Sequence, residues 1–157
     1  MSAMKIALGA DHAGFELKQK IKQHLIEKGI GVDDRGTDSP DSVDYPDYAR
    51  VVGEEVAGKR ADCGILVCGT GIGMSMGANK VPGIRAAKVN SESEAQLSRE
   101  HNDANVLALG ARVLDEDTAF KIVDRWLDTP FLGGRHQRRV DKIMAIEKEE
   151  ARVPTGS

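Results

Sequence analysis

A single α/β domain, built on a five-stranded parallel sheet with helices on both faces, is predicted by two features of the sequence. Short apolar runs of the kind that form buried strands alternate with longer segments whose apolar residues recur every three or four positions. The chain has 157 residues, 40% of them hydrophobic and only 4% aromatic, which is enough for one continuous core and too little for two ordinary ones.

The elements follow in chain order. Lys5 to Leu8 reads as the first strand, and the spacing of Leu17, Ile21 and Leu25 predicts a helix after it. Gly31 to Asp33 reads as a second strand. The stretch "RGTDSPDSVDYPD", residues 35 to 47, is dense in Asp, Ser and Pro and predicts a long loop, either a lid or a plain connection. Ala49, Val52 and Val56 mark a second helix, Cys63 to Val67 a third strand, Arg85 to Val89 a fourth and Val106 to Leu109 a fifth. Ala119, Ile122, Val123, Trp126 and Leu127 mark a further helical stripe. Such a β-α-β-α rhythm implies right-handed crossovers and a doubly wound, Rossmann-like sheet, whose ligands bind at the carboxyl ends of the strands. The domain is expected to span residues 1–150. The last residues, 151–157, combine charge with Pro and Gly and are expected to be a disordered tail.

Composition narrows the function. No apolar stretch is long enough to span a bilayer, and the N-terminus lacks a signal-peptide layout, so a cytoplasmic protein without membrane contact is expected. The net charge of -3 offers no general attraction for nucleic acid, so an anion site must come from a local cluster. Cys63 and Cys68 open and follow one extended run; at ~3.3 Å per residue they stand about 16 Å apart, beyond the ~7 Å reach of a disulfide. No His, Cys and Glu cluster has the spacing of metal ligands, and no metal or cofactor is expected.

Three polar segments flank strands: "GADHAGF" with Asp11 and His12, "CGTGIG" with Cys68 and Thr70, and "EHND" with His101 and Asn102 just before the Val106 strand. All three are expected on one edge of the sheet. Singly, Asp11 reads as a helix cap, His12 as a turn residue and His101 as a partner of a helix C-terminus. Together they are harder to dismiss, because His12, His101 and His136 are three of four histidines, and His24 reads as a surface residue of the first helix. The glycine loop lacks the Lys-Ser/Thr ending of a P-loop and the acidic residue that completes a dinucleotide fingerprint. What remains is physical: Gly69, Gly71 and Gly73 expose N–H groups at a helix start, suited to a phosphate or a developing oxyanion, with Cys68 at its mouth. Cys63 reads as a packing residue. In "GGRHQRRV", Arg135 and Arg139 are four apart and share a helix face with His136 beside them, a fork for a phosphate dianion.

The blocks "GADHAGFELK", "DYPDYA", "CGTGIGMSMGANK", "GIRAA", "LSREHNDANVLALGAR" and "GGRHQRRV" together resemble the ribose-5-phosphate isomerase B family, which also includes subunits of galactose-6-phosphate isomerase. The resemblance runs in unbroken order over about residues 4–147. It implies an enzyme of the pentose phosphate pathway that interconverts ribose 5-phosphate and ribulose 5-phosphate through an enediolate, without cofactor. Carried over residue by residue, it makes Cys68 the base moving a proton between C1 and C2, with Thr70 assisting. It has His101 open the furanose ring, aided by Asp11. Asn102 and the loop Gly69, Thr70, Gly71, Ile72 and Gly73 would stabilise the oxyanion, while His12, Arg135 and Arg139 hold the phosphate and Arg112 matches a further ligand position. Relatives without the cysteine carry a glutamate six residues later; here that position is Met74, so the chain resembles the cysteine-dependent branch. The resemblance also implies a homodimer or homotetramer sharing its sites, with His101, Asn102 and Arg112 from one subunit and Cys68, Asp11 and His12 from the other.

The chemistry fits those roles. Removing a proton α to a carbonyl needs a placed base and a group that offsets enediolate charge, and a thiolate beside an N–H nest supplies both. Two other readings stand beside this one: an isomerase for a six-carbon 6-phosphate such as allose or galactose 6-phosphate, and a non-catalytic phosphate- or nucleotide-binding module. The module would need the glycine loop but not the thiol.

Overall fold

The computed structural model describes residues 4–152. Five strands, β1 (Lys5–Ala10), β2 (Gly31–Asp34), β3 (Cys63–Cys68), β4 (Ala86–Lys88) and β5 (Val106–Gly110), form one all-parallel sheet in the order β2-β1-β3-β5-β4. Six helices connect and follow them: α1 (Phe15–Glu27), α2 (Tyr45–Ala57), α3 (Ile72–Ala78), α4 (Glu92–Asn102), α5 (Glu116–Asp128) and α6 (Arg135–Glu150). The expected doubly wound α/β fold is the one found. β2 lies on one side of β1 and β3 on the other, with β4 at the far edge and β5 inserted between β3 and β4, so β1 and β3 are neighbours at the point where strand order reverses, the usual place for a ligand crevice.

Strand residues alternate between two cores. Ile6, Leu8, Ile65, Val67, Leu107 and Leu109 face α1, α4 and α5, where Leu17, Ile21, Leu25, Ala95, Ile122, Val123 and Trp126 meet them. Ala7, Leu66, Cys68, Val106 and Ala108 face α2 and α3 and pack with Ala49, Val52, Val56 and Met74. Burial on both faces explains why the strands read as continuous apolar runs. It also fixes the side of the sheet on which Cys68 stands.

Strand ends differ from expectation in a consistent way. β1, β2, β3 and β5 each run one or two residues further, because Gly9, Ala10, Cys68 and Gly110 keep ladder partners beyond the apolar run. β4 is shorter, three residues at the sheet edge, because Asn105 Oδ1 takes the Arg85 N–H and holds Arg85 before the strand begins. His24 is no surface residue: it is stacked on Phe120 at 4.4 Å, and its Nε2 lies 2.8 Å from Asp124 Oδ1. Ala151 and Arg152 prolong α6 by backbone hydrogen bonds to Glu147 and Glu149. The remainder of the expected tail, residues 153–157, lies outside the described residues.

The long loop is tied down at its start. Lys18, only 1% exposed on α1, pairs with Asp34 at the end of β2, and the same carboxylate accepts from Lys22 and from the Gly36 N–H. Gly36 and Thr37 then bond to Ala10, beside the site residue Asp11. Burial by itself would raise the Asp34 pKa; the hydrogen bonds from Lys18, the Gly36 N–H and Lys22 outweigh it and hold the carboxyl below its ordinary value. A depressed acid contributes stability above its unfolded-state value of ~3.9 and loses it as pH falls toward the folded-state value. Asp34→Asn, which leaves the Lys18 ammonium buried without a counter-charge, should therefore cost about 3 kcal/mol at neutral pH. Urea unfolding of both proteins should show that gap narrowing as pH is lowered below 4; a gap independent of pH would contradict the assignment.

Candidate active site

At the carboxyl end of β1 the chain turns sharply over the end of β3. Asp11 donates its N–H to Val67 O and accepts the Gly14 N–H on Oδ1 at 3.0 Å. The turn requires glycine: a Cβ on Gly14 would sit 2.3 Å from Val67 O. Asp11 is thus buried against the last residues of β3. His12 is half-buried, and its Nδ1 accepts the Val43 N–H at 3.1 Å, so a neutral ring carries its proton on Nε2. The far end of the Asp-Ser-Pro loop is held on this histidine.

Cys68 ends β3. Its Sγ accepts the Gly71 N–H at 3.1 Å, and Gly71, with φ +83°, adopts the left-handed conformation that starts α3. The loop is pressed against the end of β5, since a Cβ on Gly110 would lie 2.6 Å from Thr70 O. The N–H groups expected to be open are partly committed: that of Gly71 goes to sulfur and that of Ile72 to Thr70 Oγ1 at 3.2 Å. Met74, fully buried, packs in the same core cluster as Cys68. Arg112 follows β5; its N–H bonds Gly69 O at 2.9 Å and its guanidinium lies along Gly69. Gly73 lies beneath the Tyr45 ring, so closely that a Cβ there would be 2.5 Å from Tyr45 Cε1. Tyr45 was not singled out from sequence as a site residue, although it stands in the "DYPDYA" block.

His101 and Asn102 stand elsewhere. The expectation that "EHND" shares an edge with Cys68 is overturned, because that segment precedes β5 and so enters the sheet at its amino edge. The four steps from Val106 to Gly110, the residue paired with Cys68, cover about 13 Å at ~3.3 Å each, and His101 lies further back still. Arg85 clamps this corner, its guanidinium donating to Asn102 O and Asp103 O. There the His101 ring stacks on His136 of α6, with centroids 4.2 Å apart and planes 11° apart. Burial, then His101, Arg135 and Arg139, lower the His136 pKa against an opposing contribution from Glu100. The basic fork of Arg135 and Arg139 therefore belongs to the His101 corner.

One chain thus holds two groups of residues at opposite edges of its sheet. Asp11, His12, Cys68, Thr70, the loop from Gly69 to Gly73 and Arg112 form one; His101, Asn102, Arg135, His136 and Arg139 form the other. Arg112, expected with His101, is found with Cys68. Among the described residues no three His, Cys, Asp or Glu side chains gather as metal ligands, and no helix is long and apolar enough to cross a membrane.

Residues 6–143 match a family model described as Ribose/Galactose Isomerase. The chain is 54% identical over 144 residues to ribose-5-phosphate isomerase B of Escherichia coli, covering 92% of this chain and 97% of that protein. The solved structure of Clostridium thermocellum ribose-5-phosphate isomerase B superimposes with a TM-score of 0.93 at 53% identity, over 94% of this chain and 99% of that one. That of Mycoplasma genitalium, with bound ribulose-5-phosphate, superimposes with a TM-score of 0.91 at 46% identity, over 95% and 99%.

The second thiol, Cys63, opens β3 at the opposite end from Cys68, and burial pushes its pKa up to about 12. Such a thiol is thiolate in about one molecule in ten thousand at pH 8, so in a Cys68→Ser background it should alkylate about a thousandfold more slowly than free cysteine. Intact-mass analysis after iodoacetamide checks this; rapid single labelling would show that the half-buried Cys63 is not inert.

Proposed function

The chain belongs to the ribose/galactose isomerase family, and we infer that it interconverts D-ribose 5-phosphate and D-ribulose 5-phosphate by moving one proton between C1 and C2. The observation that carries this reading is a cysteine sulfur that closes β3 in the switch-point crevice and takes the Gly71 N–H, in a chain more than half identical to a ribose-5-phosphate isomerase B. On the open-chain aldose, the Cys68 thiolate takes the C2 proton. The freed electron pair forms the C1–C2 double bond and the carbonyl pair moves onto O1, giving an enediolate. The O2 proton then passes to O1, and the thiol returns its proton to C1 as C2 becomes the carbonyl.

Charge builds on O1 and O2 during this exchange. The Gly69–Gly73 backbone, the Thr70 hydroxyl and Asn102 offset it, each as a fixed dipole that needs no reorganisation as the reaction proceeds. His101, aided by Asp11, opens the furanose ring. His12, Arg112, Arg135 and Arg139 grip the phosphate, and holding that distant end positions C1 and C2 against the sulfur.

These roles require both groups of residues at one substrate, while each chain carries them at opposite sheet edges. A second copy that lays its His101 corner over the Cys68 crevice of the first satisfies the chemistry, and two-fold symmetry then forms two such sites at once. The protein is accordingly assigned as a homodimer, or a tetramer made of such dimers. A base that must remain a free thiol suits a reducing compartment, and the cytoplasm is the assigned location.

Cys68→Ser keeps the volume and loses the base. It should lower kcat for ribose 5-phosphate by about three orders of magnitude with KM changed only a few-fold, as expected for removal of a proton-transfer group. Steady-state kinetics at saturating substrate give the answer, and a variant with wild-type kcat would remove Cys68 from the mechanism.

A further inference from the structure

The rings of His101 and His136 are the only stacked pair of aromatic rings joining α4 to α6 among the described residues. We propose that His136 is a positioning residue, whose ring fixes the plane in which His101 meets the sugar ring of its substrate. This rests on the assignment of ring opening to His101.

The need for such a contact comes from where His101 sits. It is the penultimate residue of α4, followed by Asn102 and then by Asp103 with φ +46°, where the helix stops. Rotation about the bond to an imidazole is broad, so a histidine at a helix end has no fixed plane unless a neighbour supplies one. The other two histidines are held by hydrogen bonds, His12 to the Val43 N–H and His24 to Asp124. Among the described residues His101 and His136 have no such ring-nitrogen bond to protein, and the face-to-face contact takes its place. It also leaves both nitrogens of His101 available for the ring oxygen and the anomeric hydroxyl of a furanose.

His136 is suited to the task. It is only 8% exposed, although its neighbours Arg135 and Arg139 are exposed on the same first turns of α6. Two imidazolium rings face to face repel each other, so the stack persists only while the pair carries at most one charge. Arg135 and Arg139 from α6, His101 itself and burial all disfavour a charge on His136, with Glu100 of α4 opposing them. His136 is anchored in the same first turns of α6 that supply the phosphate-gripping arginines. Ring plane and phosphate grip are set by one rigid piece of helix.

The test compares two variants in net turnover and in proton exchange. Ribose 5-phosphate must be opened before it reacts, whereas ribulose 5-phosphate has its 5-oxygen blocked and is acyclic. His136→Leu keeps the bulk and loses the flat face; His136→Phe keeps the flat face and loses both nitrogens. The Leu variant should lower net turnover of ribose 5-phosphate by about ten- to a hundredfold at unchanged KM, with the matching loss in the reverse direction that a fixed equilibrium requires, while exchange of the C1 proton of ribulose 5-phosphate for solvent deuterium, which passes through the enediolate without any ring, stays within about twofold. The Phe variant should restore ribose 5-phosphate turnover to within a few-fold of wild type. An equal loss of C1 proton exchange, a raised KM, or no rescue by Phe would make the contact merely structural and overturn the proposal. His101→Ala separates the two layers. If it spares ribose 5-phosphate turnover, the ring-opening assignment fails and the proposal with it; if it abolishes that turnover while His136→Leu does not, the positioning proposal alone fails.

Discussion

A parallel sheet has a direction, and that polarity governs where chemistry can be placed in this molecule. Every segment that follows a strand emerges at the carboxyl edge, and every segment that precedes one sits at the amino edge. Asp11, Cys68 and Arg112 follow β1, β3 and β5; His101 and Asn102 precede β5. The strands are too rigid and too well buried on both faces for either group to migrate to the other. The separation of the two groups is thus as firmly determined as the fold itself, which is why the proposed mechanism calls for two chains at one substrate.

Within the carboxyl edge, the crevice is shaped by backbones that approach more closely than side chains allow. Gly14 lies against the Val67 carbonyl and Gly110 against that of Thr70, which lets the Asp11 turn and the glycine loop close over the ends of β3 and β5. Gly71 in turn takes the left-handed conformation that aims its N–H at Cys68 Sγ. The Cys68 thiol, the N–H groups around it and the carboxylate of Asp11 are then held by strand ends rather than by a mobile loop, the arrangement that would lower reorganisation in the proposed proton transfer. The Lys18–Asp34 pair, through Gly36 and Ala10, anchors the remaining wall on the β2 side.

Much of this was legible in the sequence, for reasons that can be named. Double-sided burial makes strands such as Cys63–Cys68 read as unbroken apolar runs, and one-sided burial gives α1, α2 and α5 their periodic stripes. The glycines around Cys68 announced backbone N–H groups at a helix start, and six blocks in order announced the family. Strand ends were less legible because Gly9 and Gly110 belong to strands by hydrogen bonding alone. The edge occupied by His101 was legible as well, since "EHND" stands before the Val106 strand in the sequence and a segment that precedes a parallel strand lies at its amino edge; the expectation of one shared edge ignored that order. His136 on His101 and Tyr45 over Gly73 are contacts between elements far apart in the chain, set by packing and carrying no local pattern.

The central claim is that a working site draws its two groups of residues from two chains. Cys68→Ser and His101→Ala proteins, each purified nearly inactive, should be mixed and allowed to exchange subunits. If the site is shared, half of the sites in a mixed dimer combine an intact Cys68 with an intact His101, so ribose 5-phosphate turnover should return to about a quarter of the wild-type value when exchange is complete at equal amounts. Hybrid dimers demonstrated by native mass spectrometry without any return of activity would contradict the account.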